Sequence, residues 1–210
     1  VLYWPLEQTL VVADLHLEKA SYFASRGVML PPYDTAATLA ALAEGIEFYR
    51  PRRIIALGDN FHDRDGGNRV SPETQEILFS LQRGREWIWI TGNHDPEHFS
   101  GVGGHFAPSL QVRAIYLRHQ PLSIDSIMAE NTHEIIGHLH PVVRVGRRVL
   151  RRKCFAGTSC RLILPAFGSL TGGLNIRNPV FQKVLGNEFS AYVLGIEQIF
   201  LMNSTSCLPD

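Results

Sequence analysis

Apolar runs rich in β-branched residues recur at Thr9–Ala13, Arg53–Leu57, Trp87–Ile90, Val112–Leu117 and His133–Ile136. Their near-continuous hydrophobicity predicts central strands covered on both faces. Between the first two, Leu39, Leu42, Ile46 and Tyr49 fall at helical spacing. They predict a helix over Asp34–Tyr49, with Asp34 placed to cap it and Pro51 to end it. Ser71-Pro72-Glu73 opens a second helix that runs to about Arg83, with Pro at the first helical position and Gly84 past the end. This βαβαβ order predicts a layered α/β fold. From Val142 the texture changes to short strands, with Leu162–Leu164, Leu174–Ile176, Ala191–Leu194 and Gln198–Leu201 separated by Gly and Pro and no long helical pattern. The second half therefore reads as a mainly antiparallel sheet packed on the first. With no internal repeat or linker in 210 residues, a single domain over 1–210 is expected.

Each predicted central strand is followed by a run of residues able to bind a metal: Asp14-Leu15-His16, Gly58-Asp59, Gly92-Asn93-His94-Asp95, Arg118-His119 and Gly137-His138-Leu139-His140. In open α/β sheets functional groups gather outside the carboxyl ends of the strands, where all five runs fall. If the segment is extended, Asp14 and His16 point to the same side and can clasp one ion, and His138 and His140 repeat that spacing. Gly58 lets the chain turn so that Asp59 faces the crevice, which makes Asp59 the candidate bridging ligand. The Asn93 carbonyl oxygen can bind a metal while His94 stays available to substrate. Oxygen and imidazole donors without thiolate suit Mn, Fe, Zn or Co.

Composition adds bounds. Acidic and basic residues balance at 20 each, so no global field marks a polyanionic partner, and the balance neither supports nor excludes DNA. Three cysteines, Cys154, Cys160 and Cys207, without CxxC spacing fit a reducing compartment and inert thiols. No apolar run approaches the length of a membrane span, and Val1 opens without a signal-peptide pattern. A cytoplasmic protein with no membrane partner is expected. The start at Val rather than Met fits a trimmed N-terminal piece.

The ordered series D-x-H, G-D, G-N-H-D, a His after a strand, and G-H-x-H resembles the calcineurin-like metallophosphoesterase superfamily. More narrowly, Asp14–Ala20, Leu30–Thr35, Gly58–Asp63 and Leu164–Asn175 are similar to the bacterial ligase-associated DNA damage response endonucleases of the PdeM subfamily. The resemblance implies a four-layer-type metallophosphoesterase β-sandwich with mixed sheets and flanking helices. It implies one metal on Asp14, His16, Asp59 and His140 and another on Asp59, Asn93, His119 and His138, with His94 as the catalytic histidine outside the ligand set. Arg118 and Gln120 depart from the pattern, which more often has Gly before this His and, in the subfamily, Glu after it. The imidazole of His119 is retained.

The expected activity is that of a dinuclear-metal-dependent phosphodiesterase, by resemblance a DNA endonuclease of bacterial DNA repair using manganese, with DNA ligase and helicase as partners. Two divalent ions roughly 3.5–4 Å apart would activate a bridging hydroxide for in-line attack. His94, steadied by Asp95, would assist as a hydrogen-bond or proton donor, a role typically worth about 10²–10⁴-fold. A small-molecule or nucleotide phosphoesterase on the same site, or a non-catalytic module of a repair complex, stays open beside it. The basic strip Arg144, Arg147, Arg148, Arg151, Arg152 and Lys153 reads either as a track for a phosphate backbone or, more simply, as an edge strand protected by charge. His62, His98 and His105 lie in loops and receive no catalytic role.

Overall fold

Residues 1–95, 99–123, 126, 132–145 and 150–210 are described by a computed structural model, and they divide into two compact units. The first comprises Val1–Ser109 with Phe167–Thr171, and the second Leu110–Ala166 with Gly172–Asp210.

In the first unit, strands β1 (Leu2–Trp4), β2 (Thr9–Val12), β3 (Arg53–Leu57), β4 (Glu86–Ile90) and β5 (His105–Ala107) form one sheet in sequence order. β1 is antiparallel to β2, and the other pairs are parallel, with Val12 beside Ala56 and Leu57 beside Ile90. Every residue of β2 is buried, which is why its apolar run shows no alternation. The helices are α1 (Lys19–Ala24), α2 (Asp34–Tyr49) and α3 (Pro72–Gln82). Leu10, Leu39, Leu42, Ile54, Phe61 and Trp89 form the centre of its core.

The second unit contains β6 (Ser109–Val112), whose first residue belongs to the other unit, β7 (Ile115–Arg118), β8 (His133–Ile136), β9 (Pro141–Val145), β10 (Leu150–Gly157), β11 (Arg161–Ile163), β12 (Leu174–Asn175), β13 (Ser190–Leu194) and β14 (Ile199–Asn203). The order is β12-β9-β10-β11-β8-β7-β6, with β13 pairing β10 and β14 pairing β13. Parallel pairs β7–β8, β8–β11 and β9–β12 make this sheet mixed, while β9–β10, β10–β11, β10–β13 and β13–β14 are antiparallel, the mainly antiparallel texture expected from Val142 onward. The fold is thus mixed α/β, with two mixed sheets and few helices. Cys154 and Cys207 are buried in the core of this unit, and burial, reinforced by Cys207, pushes the Cys154 thiol up to about 12. No helix among the described residues is long and apolar enough to cross a membrane.

Three local expectations change. The run Val112–Leu117 is two strands, because Arg113 adopts a left-handed φ of 55° and turns the chain between β6 and β7. The short helices α1 and α4 (Pro179–Leu185) are too brief to leave a helical period in the sequence. Asp34 does not cap α2. Tyr33 takes the capping position, and the Asp34 carboxylate instead accepts hydrogen bonds from the backbone N–H groups of Lys19 (3.0 Å) and Ala20 (3.2 Å), at the start of α1. Helix α3 starts as expected, with the Ser71 hydroxyl accepting the Thr74 N–H.

Asp34→Ala leaves two backbone donors at the start of α1 without their acceptor. The expected loss is about 1–3 kcal/mol in urea unfolding; an unchanged midpoint and slope would contradict this role.

Candidate metal centre

The five runs all follow strand ends, after β2, β3, β4, β7 and β8. The first unit carries Asp14, His16, Asp59, Asn93, His94 and Asp95; the second carries His119, His138 and His140.

In the first unit the segments leaving β2 and β3 keep pairing after the strands end. Asp14 N–H donates to Gly58 O, His16 N–H to Asp59 O and Leu17 N–H to Asn60 O, followed by a parallel bridge between Leu17 and Phe61. The Asp14–His16 pair is not extended: Asp14 (φ 54°), His16 (φ 46°) and Glu18 (φ 63°) are all left-handed, and the intervening Leu15 and Leu17 are buried in the core. Asp59 is left-handed as well, with φ 44°. Such conformations cost non-glycine residues on the order of 1–3 kcal/mol each and collect at functional sites.

The segment after β4 is fastened by Asp95, which is fully buried. One of its carboxylate oxygens accepts the Gly92 N–H (3.0 Å), and the other accepts those of Asn60 (2.8 Å) and Phe61 (3.2 Å). Burial, then the neighbouring Asp59 charge, pushes its pKa up to about 6 against these bonds. Gly92 is required by close approach, since a Cβ there would collide with the backbone nitrogen and carboxylate of Asp59.

His94 is oriented by a different partner than the sequence suggested. Its backbone N–H donates to Asp59 Oδ1 (2.9 Å), and its Nδ1 lies 2.9 Å from the carbonyl oxygen of His62. That bond places a proton on Nδ1. Nε2, 3.9 Å from Asp59 Oδ2, is then the nitrogen left for a substrate, and it can donate only when the ring is an imidazolium. The side chain is 43% exposed, so substrate can reach it.

His62 received no role from the sequence, yet its ring stacks on His94 (centroids 5.7 Å, 18° between planes) and its Nδ1 lies 3.5 Å from Nδ1 of His16. Burial, then the Lys19 charge, lowers its imidazole to about 4, so it is neutral at physiological pH. The next residue, Asp63, is clamped by Arg69. Burial pushes the Asp63 carboxyl up, but the hydrogen bond and charge of Arg69 outweigh it and hold the group below the usual carboxylate range. The parallel register of β2 and β3, continued through the Leu17–Phe61 bridge, sets His62 beside Glu18, two residues along from His16, which brings the two rings within reach of each other.

In the second unit His119 is buried, and its Nε2 lies 3.2 Å from Nδ1 of His138. Two imidazole nitrogens this close can both face one cation when neither carries a proton. His138 (φ 72°) and His140 (φ 46°) repeat the left-handed alternation of Asp14 and His16, with Leu139 between them packed against this unit's core. Arg118, unusual before the histidine, has a structural role. Its Nε lies 3.5 Å from Glu134 Oε2, while Arg161 binds Glu134 Oε1 at 2.5 Å and donates to the Leu122 and Val184 carbonyls, so one buried carboxylate ties β7, β8 and β11. The oxygen and imidazole donors and the strained backbone of these residues suit divalent cations.

Elsewhere, Arg144 donates to Pro209 O, Arg151 binds both carboxylate oxygens of Asp210, and Lys153 donates to Ala166 O. These partners favour the structural account of the basic strip; Arg147 and Arg148, like His98, lie outside the described residues.

Gly92→Ala is expected to displace Asp59 and lower divalent-metal affinity at least about tenfold, within the range for mutations beside metal ligands. Calorimetric titration with Mn²⁺ measures it, and wild-type affinity in the variant would contradict the close-approach argument.

No curated protein matches the chain. Among solved structures it is similar to the Pseudomonas putida nuclease MPE, with 26% identity, a TM-score of 0.70 and coverage of 95% of this chain and 90% of that one. A phosphoesterase from E. coli, Yfce, matches at 15% identity and a TM-score of 0.41, over 88% of this chain and 87% of that one. A protein of unknown function from Aquifex aeolicus matches at 17% identity and a TM-score of 0.46, over 80% and 89%. The family model for the calcineurin-like phosphoesterase matches residues 8–151, spanning all five runs, so the chain belongs to the calcineurin-like phosphoesterase family and is a metal-dependent hydrolase of ester bonds.

Proposed function

We propose that the chain is a dinuclear metal-dependent phosphodiesterase that cleaves DNA, with Asp59 shared between two ions. Asp14, His16 and His140 would complete one ligand set, and Asn93, His119 and His138 the other. The observation that carries the substrate reading is the likeness to a nuclease along nearly the whole chain. Manganese as the native ion, a role in DNA repair beside ligase and helicase partners, and a cytoplasmic location belong to the same reading and rest on the sequence resemblance.

Bound divalent ions would supply an activated water and neutralise charge on the phosphate. The protein groups divide the remaining work. Asp59 holds the His94 backbone N–H, which fixes the histidine relative to a shared ligand. The His62 carbonyl sets its tautomer, and Nε2 of the protonated ring donates to a phosphate or leaving oxygen. Asp95 acts through the backbone, as a positioning residue.

Two substitutions separate these roles. Asp59→Ala is expected to remove both ions by elemental analysis, whereas His94→Ala retains them and loses about 10²–10⁴ in turnover. Two ions retained by the Asp59 variant would refute the bridging role. The substrate is tested with Mn²⁺-loaded protein on circular single-stranded DNA, linear DNA and a small aryl phosphodiester. Cleavage of circles that His94→Ala abolishes is the expected result; turnover of the small diester alone would assign a small-molecule phosphoesterase instead.

A further inference from the structure

Helix α1 carries two adjacent aromatic residues, Tyr22 and Phe23, that lie outside the hydrophobic core of their unit. Both are partly exposed, and they pack on His62 instead. The Phe23 ring lies nearly parallel to the His62 ring (centroids 5.8 Å, 27° between planes), and His62 in turn stacks on His94. Tyr22 meets His62 (4.7 Å) and Phe23 (5.3 Å) edge to face. A continuous strip of rings thus runs from α1 to the histidine proposed to meet the substrate, all of it within the first unit. Aromatic side chains ordinarily contribute through the large area they bury in a core. Two that are held at the surface, in line with a catalytic group, need a different account.

Cations border the strip. Arg26, exposed just past α1, sets its guanidinium 3.7 Å from the centre of the Tyr22 ring, and its hydrogen bonds go to neutral acceptors, the Tyr22 carbonyl (3.4 Å) and the Ser25 hydroxyl (3.5 Å). Lys19 also donates to a neutral group, the Leu170 carbonyl, and its charge acts on the His62 ring. Flat rings bordered by guanidinium and ammonium groups match the chemistry of a nucleic-acid strand, whose bases stack on π-faces while its phosphates take the cations. A small phosphodiester without a neighbouring nucleotide has nothing to place on them.

We propose that Tyr22 and Phe23 form a stacking platform for the base of a nucleotide flanking the scissile phosphate, and that Arg26 holds the next phosphate of the same strand. This rests on the reading of the chain as a DNA-cleaving enzyme, and it adds the residues that grip the strand away from the metals. Every base has a π-face, so the platform gives affinity and placement without a sequence preference. Bond breaking stays with the groups around Asp59 and His94.

The test uses the full chain loaded with Mn²⁺ and single-stranded oligodeoxynucleotides of one sequence, intact or carrying a single stable abasic residue, with the cutting rate read at every linkage on a sequencing gel. In the wild type, at least one of the two linkages flanking the abasic residue is expected to be cut about tenfold more slowly than in the intact strand, the effect of losing one base–aromatic stack. Phe23→Leu and Tyr22→Leu are expected to bring that ratio below about threefold. Rings that only buttressed His62 would, when replaced, slow all linkages alike and leave the ratio at its wild-type value. Arg26→Gln, a change at an exposed side chain, is expected to raise KM for the intact strand and to lower the slope of log KM against log salt by about 0.7, as for one phosphate contact to a single strand. The proposal is overturned by a wild type indifferent to the abasic residue, by a ratio that neither aromatic substitution lowers, or by an unchanged salt slope in Arg26→Gln. Each of these results leaves DNA cleavage itself standing. A wild type that cuts no oligonucleotide yet turns over a small aryl phosphodiester overturns the nuclease reading and the platform together.

Discussion

The carboxylate of Asp95 is the fastening on which the chemistry of the first unit depends. By accepting N–H groups from Gly92 on one side and Asn60 and Phe61 on the other, it binds the segment after β4 to the segment after β3. Gly92 without a Cβ allows the approach, and His94 is thereby delivered onto Asp59. Burying a carboxylate is costly unless hydrogen bonds compensate, and three backbone donors offset part of that cost here. A change of one atom at this point would move both a ligand and the group that meets the substrate, although Asp95 touches neither metal nor phosphate in the proposed mechanism.

A second constraint fixes the ligands themselves. In Asp14-Leu15-His16 and in His138-Leu139-His140, left-handed residues flank a leucine committed to its unit's core. Fully burying a leucine contributes about 1.5–3 kcal/mol, so buried Leu15, and to a lesser degree partly buried Leu139, offsets part of the backbone strain on either side of it. The same short pattern thus appears once in each unit. Its energetics link hydrophobic packing directly to metal binding, because the leucine that anchors the turn also sets the neighbours' backbone.

Much of this was legible in the sequence, for identifiable reasons. Continuous β-branched runs located β2, β3, β4 and β8, and helical spacing located α2 with both its ends. The ligand candidates stood out because polar metal-binding residues directly after buried strands need a reason to be there. What escaped depended on contacts distant in sequence. Asp34 serves α1, fifteen residues before it, rather than its own helix. The turn at Arg113 rests on a left-handed arginine, where no glycine marks the break. His62 and Asp95 exchanged importance once the backbone pairing beyond β3 was visible: the histidine expected to be idle supports His94, and the aspartate expected to steady it supports the chain beneath.

The central claim is that the strained residues at these strand ends exist to hold two ions in each molecule. Calorimetric titration of the wild-type metal-free protein with Mn²⁺ tests it most directly. The account predicts two equivalents bound per chain, with a rise in thermal stability that saturates at the same stoichiometry. A single equivalent, or binding that leaves stability unchanged, would contradict it.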